Sequence, residues 1–202
     1  STGQSRPVHF FILFEGIFMM HRHTLSLTAL SLFALGLSAC SSMGSHSMYS
    51  QAELPATVQV PAGHKVAMET VGVGLVTDEC RAKRDMAAEH EWVFVGPDAK
   101  LQTRSGAVIG KYWGPPATWE NNDGSKVTAT QLAVAPAGAG NIPVQLVKAN
   151  PATGMGAMQG VTYIQRVATK GGVAPSMACG AANLGSRQIV QYQADYIFWK
   201  AA

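Results

Sequence analysis

The densest set of chemistry-bearing side chains is residues 113–123, WGPPATWENND, where Trp113 and Trp119 accompany Glu120 and Asp123 on a proline-stiffened stretch. Aromatic faces beside carboxylates serve both sugar binding and glycoside hydrolysis. Hydrolysis asks for one carboxyl of raised pKa and a second about 5–9.5 Å away. These four residues are therefore the candidate ligand surface, and Glu120 with Asp123 the pair a hydrolase would use. Each also has a plainer reading. Asp123 precedes Gly124 as a turn residue, and the two Trp side chains fit as plugs of a β core.

Two further sets carry chemistry. Arg166 and Asp195 sit inside otherwise apolar runs. A buried charge needs a partner, so an Arg166–Asp195 ion pair across neighbouring strands is expected, with anion anchoring as its functional counterpart. Met43, His46 and Met48 place soft thioethers beside an imidazole, a donor set suited to copper; their plainer reading is an unstructured linker.

Other chemistries are poorly supplied. There is no Gly-x-Ser-x-Gly elbow, and beyond residue 58 the histidines are His64 and His90, with no HExxH pair. Gly72-Val73-Gly74-Leu75-Val76-Thr77 lacks the third glycine of a dinucleotide fingerprint, as does Gly154-Met155-Gly156, and no amphipathic helix follows either. No catalytic residue, metal or cofactor is assigned. Fifteen Lys and Arg against 12 Asp and Glu give a net charge of +3. With no basic run, that balance argues against nucleic acid as a partner.

Residues 20–40, MHRHTLSLTALSLFALGLSAC, order a charged front, an apolar run and a small-residue ending. That order is a secretory leader. The apolar run of residues 25–39 is short of the ~20 residues that span a bilayer. Leu37-Ser38-Ala39-Cys40 is similar to a bacterial lipobox, in which the Cys is acylated and becomes the new N-terminus. The expectation is a lipoprotein of the cell envelope, held at the outer membrane through lipid on Cys40 and facing the periplasm. Residues 1–19 then read as an upstream extension, 20–39 as the signal peptide, 40–57 as a flexible tether and 58–202 as one domain. With Cys40 lipidated, Cys80 and Cys179 remain as a pair in an oxidising compartment, and a disulfide between them is expected.

The elements that must position these residues are strands. Apolar runs at 58–60, 64–80 (divided near Gly72), 92–95, 108–113, 127–134, 144–149 and 161–168 are separated by Gly, Pro and Asn turns, among them Gly96-Pro97-Asp98 and Asn121-Asn122-Asp123-Gly124. The clearest is 188–199. Val190, Tyr192, Ala194, Tyr196 and Phe198 form one face, and Gln191, Gln193, Asp195, Ile197 and Trp199 the other. Residues 81–91, charged and without an apolar stripe, read as a short helical or irregular excursion. The fold class is all-β: a single antiparallel sandwich or barrel-like domain of about eight strands.

Those pieces resemble, in order, a family of exported proteins known as domain of unknown function 3455. The matching stretches are Pro61-Ala62-Gly63-His64, Val73-Gly74 up to Cys80, Trp92-Val93-Phe94 with Gly96-Pro97-Asp98-Ala99, and Gly114-Pro115. They continue through Thr118-Trp119-Glu120 with Asp123-Gly124-Ser125, Ile142-Pro143, Val161 to Val167 with Gly171-Gly172, and Ala194-Asp195-Tyr196. Where the family pattern has a His before the Gly-Pro segment, this chain has Lys111-Tyr112-Trp113, with Pro116-Ala117 inserted afterwards. The resemblance implies no activity. The expected role is a non-catalytic binding or structural domain with a carbohydrate or small-molecule ligand; the rivals are a hydrolase through Glu120 and Asp123 and a copper handler through Met43, His46 and Met48.

Overall fold

The alternating run near the C-terminus becomes β8 (Arg187–Ala201), and the rest of the sheet is built outward from it. A computed structural model describes residues 49–174 and 176–202. The leader, Cys40 and the Met43, His46, Met48 cluster lie outside the described residues. β8 pairs antiparallel with β1 (His64–Lys83) on one side and β7 (Val161–Gly171) on the other, with Gly72 opposite Ala194 and Ile164 opposite Phe198. From β1 the ring continues through β2 (Met86–Gln102), β3 (Val108–Trp113), β4 (Thr118–Asn121), β5 (Lys126–Ala135) and β6 (Val144–Ala149) back to β7. Eight antiparallel strands in sequence order close a barrel. Closure pairs the outermost strands with each other and so removes the sheet edges an open form would expose.

The two faces of β8 separate two cores. Inward, Tyr192, Ala194, Tyr196 and Phe198 meet Leu101, Tyr112, Trp119, Val127 and Ile164 in the barrel interior. Outward, Ile197 and Trp199 join Val144, Leu146 and Val167, and this second patch is covered by the segment before β1. That segment carries Tyr49, Leu54, Val58 and Val60 and holds a 3-10 turn at Ala56–Val58. Gln165, fully buried, secures it: its Nε2 donates to Val58 O at 2.7 Å and Gln51 Oε1 at 2.9 Å, and its Oε1 accepts from Trp199 Nε1 at 2.9 Å. The tether expected to run free to residue 57 is thus strapped to the barrel from Tyr49. Outward-facing Ile197 and Trp199 would otherwise leave an apolar patch in water.

Four local expectations change. Residues 58–60 form no strand: Val58 ends the 3-10 turn, and Val58 and Val60 pack on the outer apolar patch. Gly72 does not divide the first apolar stretch; β1 runs through it for 20 residues. A Cβ there would lie 2.5 Å from the Tyr196 ring, and one at Gly74 would strike the Asp98–Ala99 backbone. These glycines permit close approach instead of turning the chain. Likewise Gly96-Pro97-Asp98 ends no strand. β2 passes through it with a bulge at Val95, where Thr77 pairs with Gly96 and Asp78 with Phe94. Pro97 is tolerated because β3 pairs with β2 only from Asp98 onward.

Residues 81–91 are neither helical nor irregular: they form the β1–β2 hairpin, turning at Arg84-Asp85. The base of this ribbon is clamped by the Cys80–Cys179 disulfide (Cα–Cα 5.5 Å) to the loop between β7 and β8, and Trp92 Nε1 donates to Met177 O at 2.8 Å. Tertiary anchoring overrides the weak helical preference of a short charged run.

Candidate binding cavity at the barrel mouth

One end of the barrel is plugged and the other is hollow. At the plugged end Asp123 ties the β4–β5 turn to the loop before β7. Its Oδ1 accepts from Ser125 N–H and Oγ–H, and its Oδ2 accepts from Ala157 N–H at 2.7 Å. Ser125 Oγ in turn accepts from Met158 N–H at 3.1 Å, and the fully buried Met158 side chain fills the interior there. The Ser125 hydroxyl, then the Ala157 and Ser125 amides, hold the Asp123 carboxyl below the usual carboxylate range.

At the other end, where odd-numbered strands finish and even-numbered ones begin, the interior opens into a cavity of about 320 Å³. Its apolar wall includes Val76, Phe94, Ile142 and Val147, and its aromatic wall is Tyr112, Trp119, Tyr192 and Tyr196. Tyr112 stacks on Trp119 with ring centroids 4.6 Å apart, and Tyr196 packs against both. The Tyr192 and Tyr196 hydroxyls are 3.2 Å apart. Burial pushes the Tyr112, Tyr192 and Tyr196 phenols up, against an opposing pull from nearby Arg166, so all three stay protonated at neutral pH.

Two polar features set this end apart. Trp119 is 1% exposed, and its indole N–H has no hydrogen-bond partner among the described residues. Arg166 is the one charged side chain lining the cavity among the described residues. Its Nε and Nη2 both donate to Pro143 O, at 3.2 and 3.0 Å. None of the ion pairs among the described residues includes it.

The expected Arg166–Asp195 pair is therefore not formed. Register is the reason: Asp195 stands opposite Val167 and Arg166 opposite Tyr196, so Asp195 faces outward while Arg166 faces the interior. Asp195 pairs instead with Arg104, from the β2–β3 loop, at 3.0 Å.

The residues of the 113–123 stretch are distributed over different surfaces. Trp119 lies in the interior beside the cavity. Trp113 and Glu120 face outward, where Trp113 Nε1 donates to Glu120 Oε2 at 3.4 Å and Lys111 Nζ lies 3.5 Å from the same oxygen. Asp123 is committed to the plugged end. Alternation along β3 and β4 separates them, since neighbours in a strand point to opposite faces. Among the described residues no group of three or more His, Cys, Asp or Glu is placed to hold a metal ion.

Of the cavity residues, Tyr112, Tyr192, Tyr196, Gln131 and Gln145 carried no functional expectation. Their signal was a polar tip recurring on the apolar face of an alternating run, which marks a residue facing a hollow interior only once the ring is known to close. The family model described as protein of unknown function (DUF3455) matches residues 61–200. No curated protein and no solved structure matches.

Proposed function

This chain belongs to the DUF3455 family of proteins of unknown function, and from that premise we propose that it is a lipid-anchored cell-envelope protein that takes a small ligand, without catalysis, into the open end of its barrel. The observation that carries the reading is the mouth cavity: an aromatic-walled hollow of about 320 Å³ lined by Arg166, which pairs with no carboxylate among the described residues. Mostly apolar concavities with a few convergent polar groups are where small molecules bind. Arg166 is half-buried at the mouth and offers an entering ligand a positive charge. Export is supported by the leader-like residues 20–40 and by the disulfide, a bond that persists in oxidising compartments.

The test is dye uptake by the purified domain. N-phenyl-1-naphthylamine, a neutral dye bright only in apolar surroundings, is expected to fluoresce with the wild-type protein. Ala129 lines the cavity, and Ala129→Phe fills it, so the signal should fall by about tenfold while the far-ultraviolet circular dichroism stays that of the wild type. A dye signal that is absent from the wild type, or unchanged in the filled variant, rejects the reading.

A further inference from the structure

We propose that the mouth cavity selects a compact organic carboxylate with a planar apolar body, received by the outer edge of the Arg166 guanidinium. The inference rests on the ligand-binding reading above and adds the chemical class of the ligand.

The geometry of Arg166 comes first. Its Nε and Nη2 are spent on Pro143 O. That bond fixes the plane of the guanidinium and leaves both Nη1 hydrogens and one on Nη2. The remaining Nη1–Nη2 edge is the fork that accepts a carboxylate with two parallel hydrogen bonds.

The rest of the lining points the same way. Among the described residues no Asp or Glu lines the cavity, and Arg166 repels a cation from its ring faces. The other polar groups can donate. The Tyr192–Tyr196 hydroxyl pair shares one hydrogen between its oxygens and keeps a second to give; the Trp119 N–H, without a partner among the described residues, lies buried behind this wall. Gln145 already satisfies Gln131 through Nε2–H to Oε1, so the glutamine pair is partly closed on itself. A lining with one positive charge and, among the described residues, no carboxylate matches one negative charge.

Size and shape narrow the body. About 320 Å³ lies at the small end of the ~300–1,000 Å³ range of small-molecule sites. The flat faces come from Tyr112 stacked on Trp119, with Tyr192, Tyr196 and Phe94 around them. Ring faces favour offset or edge contact with another ring. A phosphate dianion fits less well, because among the described residues Arg166 is its sole cationic contact and no Lys or His lines the cavity.

The experiment titrates wild-type protein and the Arg166→Met and Arg166→Lys variants with 2-naphthoate, with the neutral 2-naphthalenemethanol and with inorganic phosphate, following intrinsic Trp fluorescence. In the wild type the acid should bind about tenfold or more tightly than the alcohol, and phosphate should not compete. Arg166→Met should bring the acid down to the affinity of the alcohol without weakening the alcohol. Arg166→Lys should keep part of the preference. Equal affinity for acid and alcohol in the wild type, or a preference that survives Arg166→Met, overturns the carboxylate assignment while leaving a ligand cavity. Competition by phosphate reassigns the site to phosphate. Failure of both naphthalene probes in the wild type overturns this inference, and the neutral-dye signal then decides whether the ligand-binding reading falls with it. Were Arg166→Met to misfold, the acid-to-alcohol ratio of the wild type would still decide.

Discussion

Arg104 Nη1 stands 3.0 Å from Asp195 Oδ2 on the outer face of the barrel, and its Nη2 lies 2.7 Å from Glu69 Oε2. A loop arginine thus takes the carboxylate that strand neighbours would suggest for Arg166, and Arg166 is left facing the cavity. Because the Arg104 side chain is 55% exposed, water screens the contact. A double-mutant cycle of Arg104→Met and Asp195→Asn, read by urea unfolding, should give a coupling of about 0.5–1 kcal/mol. A coupling several times larger would show that the pair is buried more deeply than its exposure indicates.

The disulfide joins positions separated by 99 residues, and closing so long a loop restricts the unfolded chain strongly. The chain-entropy model gives about 4–5 kcal/mol. Reduction of the wild type, or the Cys80→Ala/Cys179→Ala double variant, should lower the urea midpoint accordingly, with the largest gain in amide exchange in the β1–β2 hairpin. An unchanged urea midpoint would contradict this stabilisation.

Asp123 gives the plugged end an acid-sensitive bond. Its folded-state carboxyl lies below the ordinary value, so its stabilising effect is complete above the unfolded value of ~3.9 and fades as pH falls through the lower folded value. Asp123→Asn should therefore be less stable than wild type at neutral pH. The gap should stay constant down to about pH 5 and close in more acid solution. A gap that widens on acidification would reverse the sign of the argument.

Gln165 is bonded on both ends of its amide while fully buried. Gln165→Leu keeps the approximate volume but strands the Trp199 N–H and the Val58 carbonyl. Two unmade buried bonds should cost about 2–4 kcal/mol. Limited proteolysis should cut the segment 49–60 before any strand. Unchanged stability would mean that the strap relocates to satisfy itself.

Membrane attachment is expected to depend on Cys40. In cells fed labelled palmitate, the wild-type chain should carry label and fractionate with membranes, whereas Cys40→Ser should lose the label and become soluble. Label retained in the variant would place the lipid elsewhere, and an unlabelled wild type would remove the anchor.

Much of the fold was readable along the chain because β structure alternates with a period of two. The faces of β8 follow directly from Val190 to Trp199, and the all-β class follows from many short runs set between turn residues. The Cys80–Cys179 pairing was legible by counting, once Cys40 was assigned to lipid. Other features depend on which strand lies alongside which. Gly72 and Gly96 look like turn residues in one dimension, yet they sit in continuous strands because a Tyr196 ring and the chain at Gly114 pass close by.

The same holds for the cavity. Local sequence marks Arg166 as a charge in an apolar run, and nothing local says whether that charge meets Asp195 or a hollow interior. A one-residue difference in register sends neighbouring side chains to opposite faces, so closure of the ring and pairing of β7 with β8 decide it. Closure also parted the aromatic and acidic residues of 113–123, placing Trp119 within, Glu120 without and Asp123 at the far end. Periodicity is a property of the chain itself, whereas the contents of a barrel depend on how eight strands meet.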